Sequence, residues 1–277
     1  MPELPEVETV RKTLEVQLAH PIIESVDIFW PRLIDNCTPK EFCEALQGQQ
    51  INDYQRIGKY LIFVLDRNVL VSHLRMEGKY YVQPQNEPYD VKHTHAIFTL
   101  KNGIQLRYHD TRKFGRFYLY ERGVDLKAQK AFQHCGLDVF DESLTPQYLY
   151  EQLHLRRITL KQALLDQSVM AGVGNIYADE ICFSLGYDPE ISIKRLRKKD
   201  YTELLAQARR IMGGAMKAGG TTIRSYTSSL GVDGRFQLQL KVHARKDQPC
   251  PTCGTPIIKK TVATRGTYFC PKCQRKR

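Results

Sequence analysis

The sequence predicts an α+β multidomain protein, with an N-terminal helix plus antiparallel β-sandwich, then a helical module, then a compact four-cysteine unit. Three observations lead to this fold class. The first residues repeat apolar side chains every three or four positions, short β-type runs fill Ile22 to Tyr120, and helix-type patterns follow after about Leu144. With 277 residues the chain is long enough for two domains of moderate size.

The first element is an amphipathic helix. Its apolar side chains recur at helical spacing as Val7, Val10, Leu14 and Leu18. Pro2, Glu3 and Glu6 fall at the start of this helix, where the positive end of the helix dipole favours a carboxylate.

The next hundred residues read as short strands. The β-type runs are Ile22–Trp30, Ile57–Leu65, Val69–Leu74, Ala96–Leu100, Ile104–Tyr108 and Arg116–Tyr120. Asn102-Gly103 is a strong hairpin turn signal between two of them. Runs at this spacing predict an antiparallel sandwich or barrel of about 100 residues.

Helices are predicted in the second half of the chain. Thr145-Pro146 marks one start, Ile158–Asp166 and Asn175–Leu185 are further helices, and Gly186 ends the latter. A longer helix is expected from Asp200, with Glu203 completing a capping box, to Gly219-Gly220.

The expected domains are residues 1–135, 145–235 and 240–277, with the boundary between the first two near 125–145. The segment 219–234 is rich in Gly, Ser and Thr, so we expect a mobile loop there.

Four of the eight cysteines have the spacing of a structural zinc site. Cys250 and Cys253 form one pair, and Cys270 and Cys273 form the other, so four thiolates can converge on one ion. Four protein ligands leave no position for a catalytic water, and the metal would hold together a tail too small for a core. A zinc deaminase is disfavoured, because no His-x-Glu accompanies the Pro-Cys-x-x-Cys string.

The charge of the chain is concentrated near its end. The formal net charge is +11, and residues 241–277 contribute ten basic side chains against Asp247 alone. A polyanion such as nucleic acid is the natural partner of this segment. A solvated basic face that serves only solubility is the alternative.

The first residues also carry potential chemistry. If Met1 is removed, Pro2 has an exposed secondary amine that can attack a carbon and form an iminium without an extra proton. No apolar run approaches the roughly 20 residues of a membrane helix, and the acidic, proline-containing N-terminus does not resemble a signal peptide. The cysteine usage predicts a reduced, cytosolic protein.

Five strings in this order resemble the bacterial formamidopyrimidine-DNA glycosylase family over the whole chain. They are Pro2–Thr9, His73–Gly78, Asp110–Gly115, Gly172–Tyr177 and the four-cysteine finger. The resemblance implies a bifunctional glycosylase and lyase for oxidised purines. It also implies a β-sandwich, a helix-two-turn-helix module and a zinc finger, with double-stranded DNA held in the cleft between the domains.

The resemblance assigns the catalytic residues. Pro2 matches the nucleophile that attacks the sugar C1′, and Glu3 matches the acid. Lys59 matches a lysine of the first elimination, and Arg265 matches the finger arginine that grips the phosphates and is linked to the second. The alternatives without a catalytic role are a helix-dipole carboxylate for Glu3, an exposed strand lysine for Lys59 and a purely structural finger.

The resemblance also assigns contacts to DNA. Met76, Arg112 and Phe114 match the side chains that fill the hole left by the turned-out nucleotide, and Asn175 matches a phosphate ligand. Core packing is the alternative for Met76 and Phe114, and helix capping for Asn175.

Further contacts are implied for His73, His93, Arg157 and Lys161, and Glu6 matches a base-pocket residue beside a loop that closes over the base. Surface polar residues are the alternative for His93, Arg157 and Lys161. The register of His93 against His95 stays open.

Two other functions remain. The sister family, endonuclease VIII, removes oxidised pyrimidines, but Leu4 and Arg112-Lys113-Phe114 favour the purine enzyme. A zinc-finger DNA-binding protein without chemistry is the second alternative. A monomer acting in the bacterial cytosol, associated with the nucleoid and not with membranes, is expected.

Overall fold

The computed structural model describes residues 2–221 and 236–276. The chain divides into two compact units. Within the described residues, the first unit comprises 2–133 and 219–221, and the second comprises 134–218 and 236–276.

Two four-stranded antiparallel sheets form most of the first unit, which confirms the predicted sandwich. In chain order the elements of this unit are α1 (Leu4–Leu18), β1 (Ile23–Ile28), α2 (Pro39–Leu46), β2 (Ile51–Ile57), β3 (Tyr60–Leu65), β4 (Asn68–His73), β5 (Lys79–Pro84), β6 (Thr94–Leu100), β7 (Ile104–His109) and β8 (Arg116–Glu121). One sheet has the order β1-β6-β7-β5 and the other β2-β3-β4-β8.

Aromatic side chains from both sheets meet in the core of this unit. Phe63 of β3 lies 5.7 Å from Tyr80 of β5, and Phe98 of β6 lies 6.2 Å from Phe117 of β8, measured between ring centroids. All four are buried. Such rings contribute large apolar areas, so this layer holds the two sheets together.

Helix α1 is confirmed and packs against the second sheet. Its predicted apolar face is buried, and Arg11 on the polar side donates a hydrogen bond of 3.0 Å to the carbonyl of Tyr54 in β2. Glu8 forms ion pairs with Arg11 and, at 3.2 Å, with Arg56 of the same strand. The helix is therefore fixed to β2 by both apolar and charged contacts.

Three elements of the first unit were not predicted. Helix α2 begins with a capping box between Thr38 and Glu41. This helix signal lies between two predicted β-type runs, and no helix was predicted from it. Strand β2 was not predicted: it ends at Ile57, where the predicted run Ile57–Leu65 begins, and it forms a hairpin with β3 through a turn at Gly58, whose φ is 56°. Strand β5 pairs with β7 up to Pro84.

Helices dominate the second unit, as predicted. In chain order its elements are β9 (Leu137–Asp138), α3 (Pro146–Leu153), α4 (Leu160–Leu165), β10 (Met170–Ala171), α5 (Asn175–Leu185), α6 (Lys198–Lys217), β11 (Ile258–Val262) and β12 (Arg265–Phe269). Helix α5 has the predicted bounds and ends at Gly186 in the left-handed region.

The start of α6 differs from the prediction. The helix begins at Lys198, and Asp200 is its third residue, with a carboxylate that accepts the backbone N–H of Arg197 at 2.7 Å. An acidic side chain can accept free backbone N–H groups either from the N-cap or from the third residue of a helix. The prediction took Asp200 for the start of the helix and therefore placed that start two residues too late.

The finger is an antiparallel hairpin with a small core of its own. Strands β11 and β12 are joined at Ala263 and Thr264, both with positive φ. Val242 and Ile257 are fully buried and pack with two of the cysteines and Phe183 of α5. The expectation that this tail lacks a core is therefore wrong, because helix α5 supplies part of it.

The predicted loop at 219–234 lies outside the described residues except for 219–221. None of the helices among residues 2–221 and 236–276 has the length and apolar character that a membrane crossing requires.

Candidate active site and nucleic-acid interface

The residues at the start of α1 are packed into the first unit. Pro2 is buried, and Glu3, the N-cap of α1, is 1 % exposed. Leu4 and Val7 of the same segment are fully buried, which fixes this end of the helix. The expectation of an exposed secondary amine concerns the chain after loss of Met1 and stays a prediction.

Glu6 connects this helix start to residues 219–221. One carboxylate oxygen accepts the backbone N–H of Glu3 at 2.9 Å, and the other accepts the N–H and hydroxyl of Thr221 at 2.8 and 3.0 Å. Gly220 has a φ of 78°, and a Cβ there would lie 3.0 Å from the same carboxylate, so glycine suits this position for both its backbone conformation and its lack of a side chain. The Glu6 carboxylate thus fixes both segments.

Lys59 lies in the turn between β2 and β3 and is only 8 % exposed. The alternative of an exposed strand lysine is therefore wrong. Next to it, the ring of Tyr60 packs against His73 with centroids 4.5 Å apart.

His73 is a buried, neutral imidazole. Burial, together with the positive charges of Arg75 and Lys59, lowers the pKa of His73 to about 3. Its Nδ1 accepts the backbone N–H of Arg75 at 3.0 Å, which leaves the ring proton on Nε2. The side chain braces the turn that leads to Met76, and its burial does not favour the predicted direct contact with DNA.

Met76, Arg112 and Phe114 lie together, although 36 residues separate the first two. The guanidinium of Arg112 is 3.0 Å from the Met76 sulfur and lies over the Phe114 ring, 4.7 Å from its centroid. Phe114 is 45 % exposed and Met76 is half-buried in a turn. The alternative of core packing is therefore wrong for Phe114.

Asp110 builds the turn that presents Arg112 and Phe114. Its carboxylate is fully buried and accepts the backbone N–H groups of Arg112, Phe114 and Gly115 at 2.8 to 2.9 Å. Lys113, between them, has a φ of 58°. Three hydrogen bonds to one carboxylate compensate for the strain of that left-handed residue.

His93 is the accessible member of the His93-Thr94-His95 string. His95 is 3 % exposed, with Nε2 2.8 Å from the carbonyl of Asp110. His93 is half-buried, and its Nδ1 lies 2.7 Å from Asp90. Hydrogen bonds from His93 and then His109 lower the pKa of Asp90 to about 2.

In the second unit, Asn175 supports the tip of the finger. It is the first residue of α5 and donates a 2.9 Å hydrogen bond to the carbonyl of Gly266, next to Arg265. Gly174 is the N-cap, so the capping alternative for Asn175 is wrong. Arg265 is exposed at the start of β12.

Lys161 is a structural cation. Its ammonium is fully buried, 2.6 Å from Asp179 of α5 and 2.7 Å from the hydroxyl of Thr267 in β12. Both the predicted phosphate contact and the alternative of a surface lysine are wrong, because every polar partner of a buried ammonium lies inside the protein. Arg157, in contrast, is exposed between α3 and α4.

The four predicted cysteines converge. The sulfurs of Cys250 and Cys273 are 3.9 Å apart, those of Cys253 and Cys270 are 3.5 Å apart, and all four lie within 4.8 Å of one another. Zinc–sulfur bonds of about 2.3 Å give sulfur–sulfur edges of about 3.8 Å in a tetrahedron. The arrangement therefore fits a structural zinc ion, and when bound the metal would cross-link the two ends of the hairpin.

Three family models cover these features and define the class. The formamidopyrimidine-DNA glycosylase N-terminal domain matches residues 1–117, and the formamidopyrimidine-DNA glycosylase H2TH domain matches 135–227. The zinc finger found in FPG and IleRS matches 247–275. A sandwich, an H2TH domain and this finger in one chain define a zinc-finger DNA glycosylase.

Relatives along the full length give the family. Formamidopyrimidine-DNA glycosylases of Bacillus licheniformis and Bacillus subtilis are each 46 % identical, and the alignments cover 100 % of both chains. A Lactococcus lactis Fpg solved with DNA containing an abasic site is similar with a TM-score of 0.92 and 36 % identity, covering 99 % of this chain and 100 % of that one. The chain belongs to the formamidopyrimidine-DNA glycosylase family and is a DNA-repair glycosylase of base excision.

Sequence reasoning missed the residues that position the site. Asp110 belongs to the string Asp110–Gly115, but no role was predicted for it. Asp179, Glu180 and His243 were not predicted as site residues. Glu180 is buried and accepts the backbone N–H groups of residues 241–243 at 2.9 to 3.0 Å. A weak signal existed, since acidic residues inside the apolar helix α5 have to be paired.

Proposed function

We propose that this protein excises oxidised purines from double-stranded DNA and then nicks the strand through a Schiff base on Pro2. The substrates are 8-oxoguanine, formamidopyrimidines and abasic sites. The observation that carries the proposal is the exposed Arg112 guanidinium, held between the Met76 sulfur and the Phe114 ring.

This arrangement suits the space that a turned-out nucleotide leaves. Phe114 offers an apolar edge that can enter a base step, and Met76 fills irregular gaps. Arg112 can donate hydrogen bonds to the orphaned partner base. Asp110 holds the backbone of this segment rigid, so little ordering entropy is lost when DNA binds.

The chemistry requires a free Pro2 nitrogen after loss of Met1. Its lone pair forms a bond to the sugar C1′ while the bond from C1′ to the base breaks, and Glu3 supplies a proton as the ring opens or the base departs. The iminium then withdraws electrons, and loss of a C2′ proton expels the 3′ phosphate. A second elimination expels the 5′ phosphate, and water releases Pro2.

Roles for the remaining residues follow their positions. Lys59 takes part in the first elimination, and its burial favours proton transfer over a surface role. Arg265, Arg157 and Asn175 bind phosphates from the second unit, and His93 does so from the first. Glu6 accepts the backbone N–H of Thr221 and in this way fixes the first residues of the base-pocket loop. His73 and Lys161 are supporting residues.

One zinc ion is proposed for the finger, with Cys250, Cys253, Cys270 and Cys273 as ligands. Its role is structural, since binding energy of about 10 kcal/mol or more stabilises such small hairpins. The proposed domains are 1–135 for catalysis, 145–235 for the helix-two-turn-helix module and 240–277 for the finger. We propose a monomer that acts on DNA in the bacterial cytosol, where thiols stay reduced.

Covalent trapping tests the proposed function. The zinc-loaded protein is mixed with a duplex that contains 8-oxoguanine opposite cytosine, and borohydride is added. We expect a protein–DNA adduct and full strand incision, with both strongly reduced in Pro2→Gly. Pro39→Gly, at the start of α2, is the matched control and should trap like the parent.

Equal trapping and incision by Pro2→Gly would show that the proline mechanism is wrong. A salt-sensitive complex without any adduct would instead favour a DNA-binding protein without chemistry. Mass spectrometry of the mature chain reports whether Pro2 is free.

Oxidised pyrimidines are a second candidate substrate. A Lactococcus lactis Fpg, 36 % identical with a TM-score of 0.90, was solved with DNA containing an oxidised pyrimidine. Single-turnover rates on duplexes that differ only in an oxidised purine or pyrimidine decide between the two, and we expect faster excision of the purine.

A further inference from the structure

Asp90, His93 and His109 form a second cluster of metal-ligating side chains, apart from the finger. One oxygen or nitrogen atom from each lies within 4.8 Å of the others. Asp90 and His93 lie just before β6, and His109 is the last residue of β7. Because Thr94 and His109 are paired in the sheet, the two imidazoles lie side by side, with ring centroids 5.5 Å apart.

The backbone around Asp90 directs one carboxylate oxygen toward both imidazoles. Oδ1 accepts the backbone N–H groups of Lys92 and His93 at 3.0 and 3.3 Å. Oδ2 lies 2.7 Å from Nδ1 of His93 and 3.3 Å from Nε2 of His109. The carboxylate is thus oriented by the turn before any ligand arrives.

A buried arginine holds the segment that leads into this turn. Arg107 is 1 % exposed and donates hydrogen bonds to the carbonyls of Pro84 and Glu87 at 3.0 and 2.9 Å. The segment before Asp90 is therefore attached to β7, the strand that carries His109. Arg107 therefore links the segment that leads to Asp90 and His93 with the strand that carries His109.

We propose that Asp90, His93 and His109 bind a divalent transition metal of the zinc class. Two imidazoles and a carboxylate, with water in the remaining position, are typical ligands of such ions. Bonds of about 2.0 to 2.1 Å place tetrahedral ligand atoms about 3.3 Å apart. The pair Asp90–His109 already has this spacing. Asp90 and His93 have to separate from 2.7 Å to about 3.3 Å, and the ligand atoms of the two imidazoles, which lie within 4.8 Å of each other, have to adjust to the same spacing.

Metal stoichiometry tests the site on the zinc-loaded protein. Equilibrium dialysis against micromolar Zn²⁺, followed by elemental analysis, is expected to give two ions per chain for the parent. Asp90→Asn keeps an oxygen for the turn but loses the anionic ligand, and His109→Gln keeps the bulk of the side chain. Each variant is expected to retain one ion and to lose at least tenfold in affinity for the second.

His134→Gln, an exposed histidine outside the cluster, is the matched control and should bind two ions. Added Co²⁺ gives a second readout, because ligands of nitrogen and oxygen produce visible bands without thiolate charge transfer. One ion in the parent, or two in both variants, overturns the proposal. Circular dichroism of each variant shows that the fold is intact, so a lost ion reports on the ligands.

Discussion

At the scale of single residues, burial separates side chains that the sequence presents alike. His73, Lys59 and Lys161 are polar residues to which the family resemblance assigns roles, yet all are at least nine-tenths buried. Arg112, Arg157 and Arg265 are exposed. The exposed set is available to phosphates and bases, whereas the buried set positions backbone, neighbouring charge or the finger.

His73 gives the first prediction, which concerns pH. Its pKa is about 3 in the folded protein and 6.5 when unperturbed. Below pH 6.5 the unfolded chain binds a proton that the folded chain does not, so stability falls as pH decreases toward 3. Between pH 7 and 5 the loss is about 2 kcal/mol.

Urea unfolding of the parent and His73→Gln at pH 7 and pH 5 measures this effect. The difference in stability between the two proteins is expected to shrink, or to reverse, at the lower pH. An equal difference at both values would contradict a neutral, buried His73. Comparing the two proteins at each pH cancels the contribution of the finger.

At the scale of elements, helix α5 connects the finger to the helical module. Asp179 on this helix is fully buried and accepts from Lys161 at 2.6 Å, from His243 at 2.7 Å and from the backbone of Tyr268 at 3.2 Å. Asn175, on the same helix, holds Gly266. The position of Arg265 therefore depends on α5 as well as on the zinc ligands.

Asp179→Asn is predicted to destabilise the zinc-loaded protein by about 3 kcal/mol, because the buried Lys161 ammonium loses its counter-charge. The finger tip should loosen, and the fraction of product that stops after the first elimination should rise. Urea unfolding and gel analysis of the incised strand measure the two effects.

Glu190→Gln is the matched control for this substitution. Glu190 pairs with Lys260 and Lys276 at 2.7 and 3.3 Å, but it is 35 % exposed, and such pairs contribute at most about 1 kcal/mol. An unchanged product ratio in a destabilised Asp179→Asn protein would show that the network stabilises the fold without positioning Arg265.

At the scale of the whole molecule, the net charge of +11 predicts DNA binding that weakens steeply with salt. Removing a phosphate contact should flatten the dependence of log Kd on log salt by about 0.9. We expect this change for Arg157→Gln and for Arg265→Gln, measured by titration of a duplex with an abasic-site analogue.

Lys101→Gln controls for the loss of one charge. Lys101 is exposed in the turn between β6 and β7, at the opposite end of these strands from His109. Its variant should keep the parent slope. If all three variants shift the slope equally, the effect comes from net charge and the two arginines do not contact phosphates.

The sequence by itself determined the fold class, the family and the elements with strong local signals. Helix α5 was predicted with its observed bounds because Gly186 ends it, and the four cysteines were found from spacing alone. Helix α2 and the β2–β3 turn had local signals too, but weaker ones. Local patterns are sufficient where the physical cause acts within a few residues along the chain.

Only the tertiary structure decided which polar residues are exposed and which are buried. That Met76 meets Arg112, that Lys161 pairs with Asp179, and that Asp90 lies beside His109 depend on strands and helices distant in sequence. The free energy of a charged side chain depends on the groups around it in space, and no local pattern of residues encodes those neighbours.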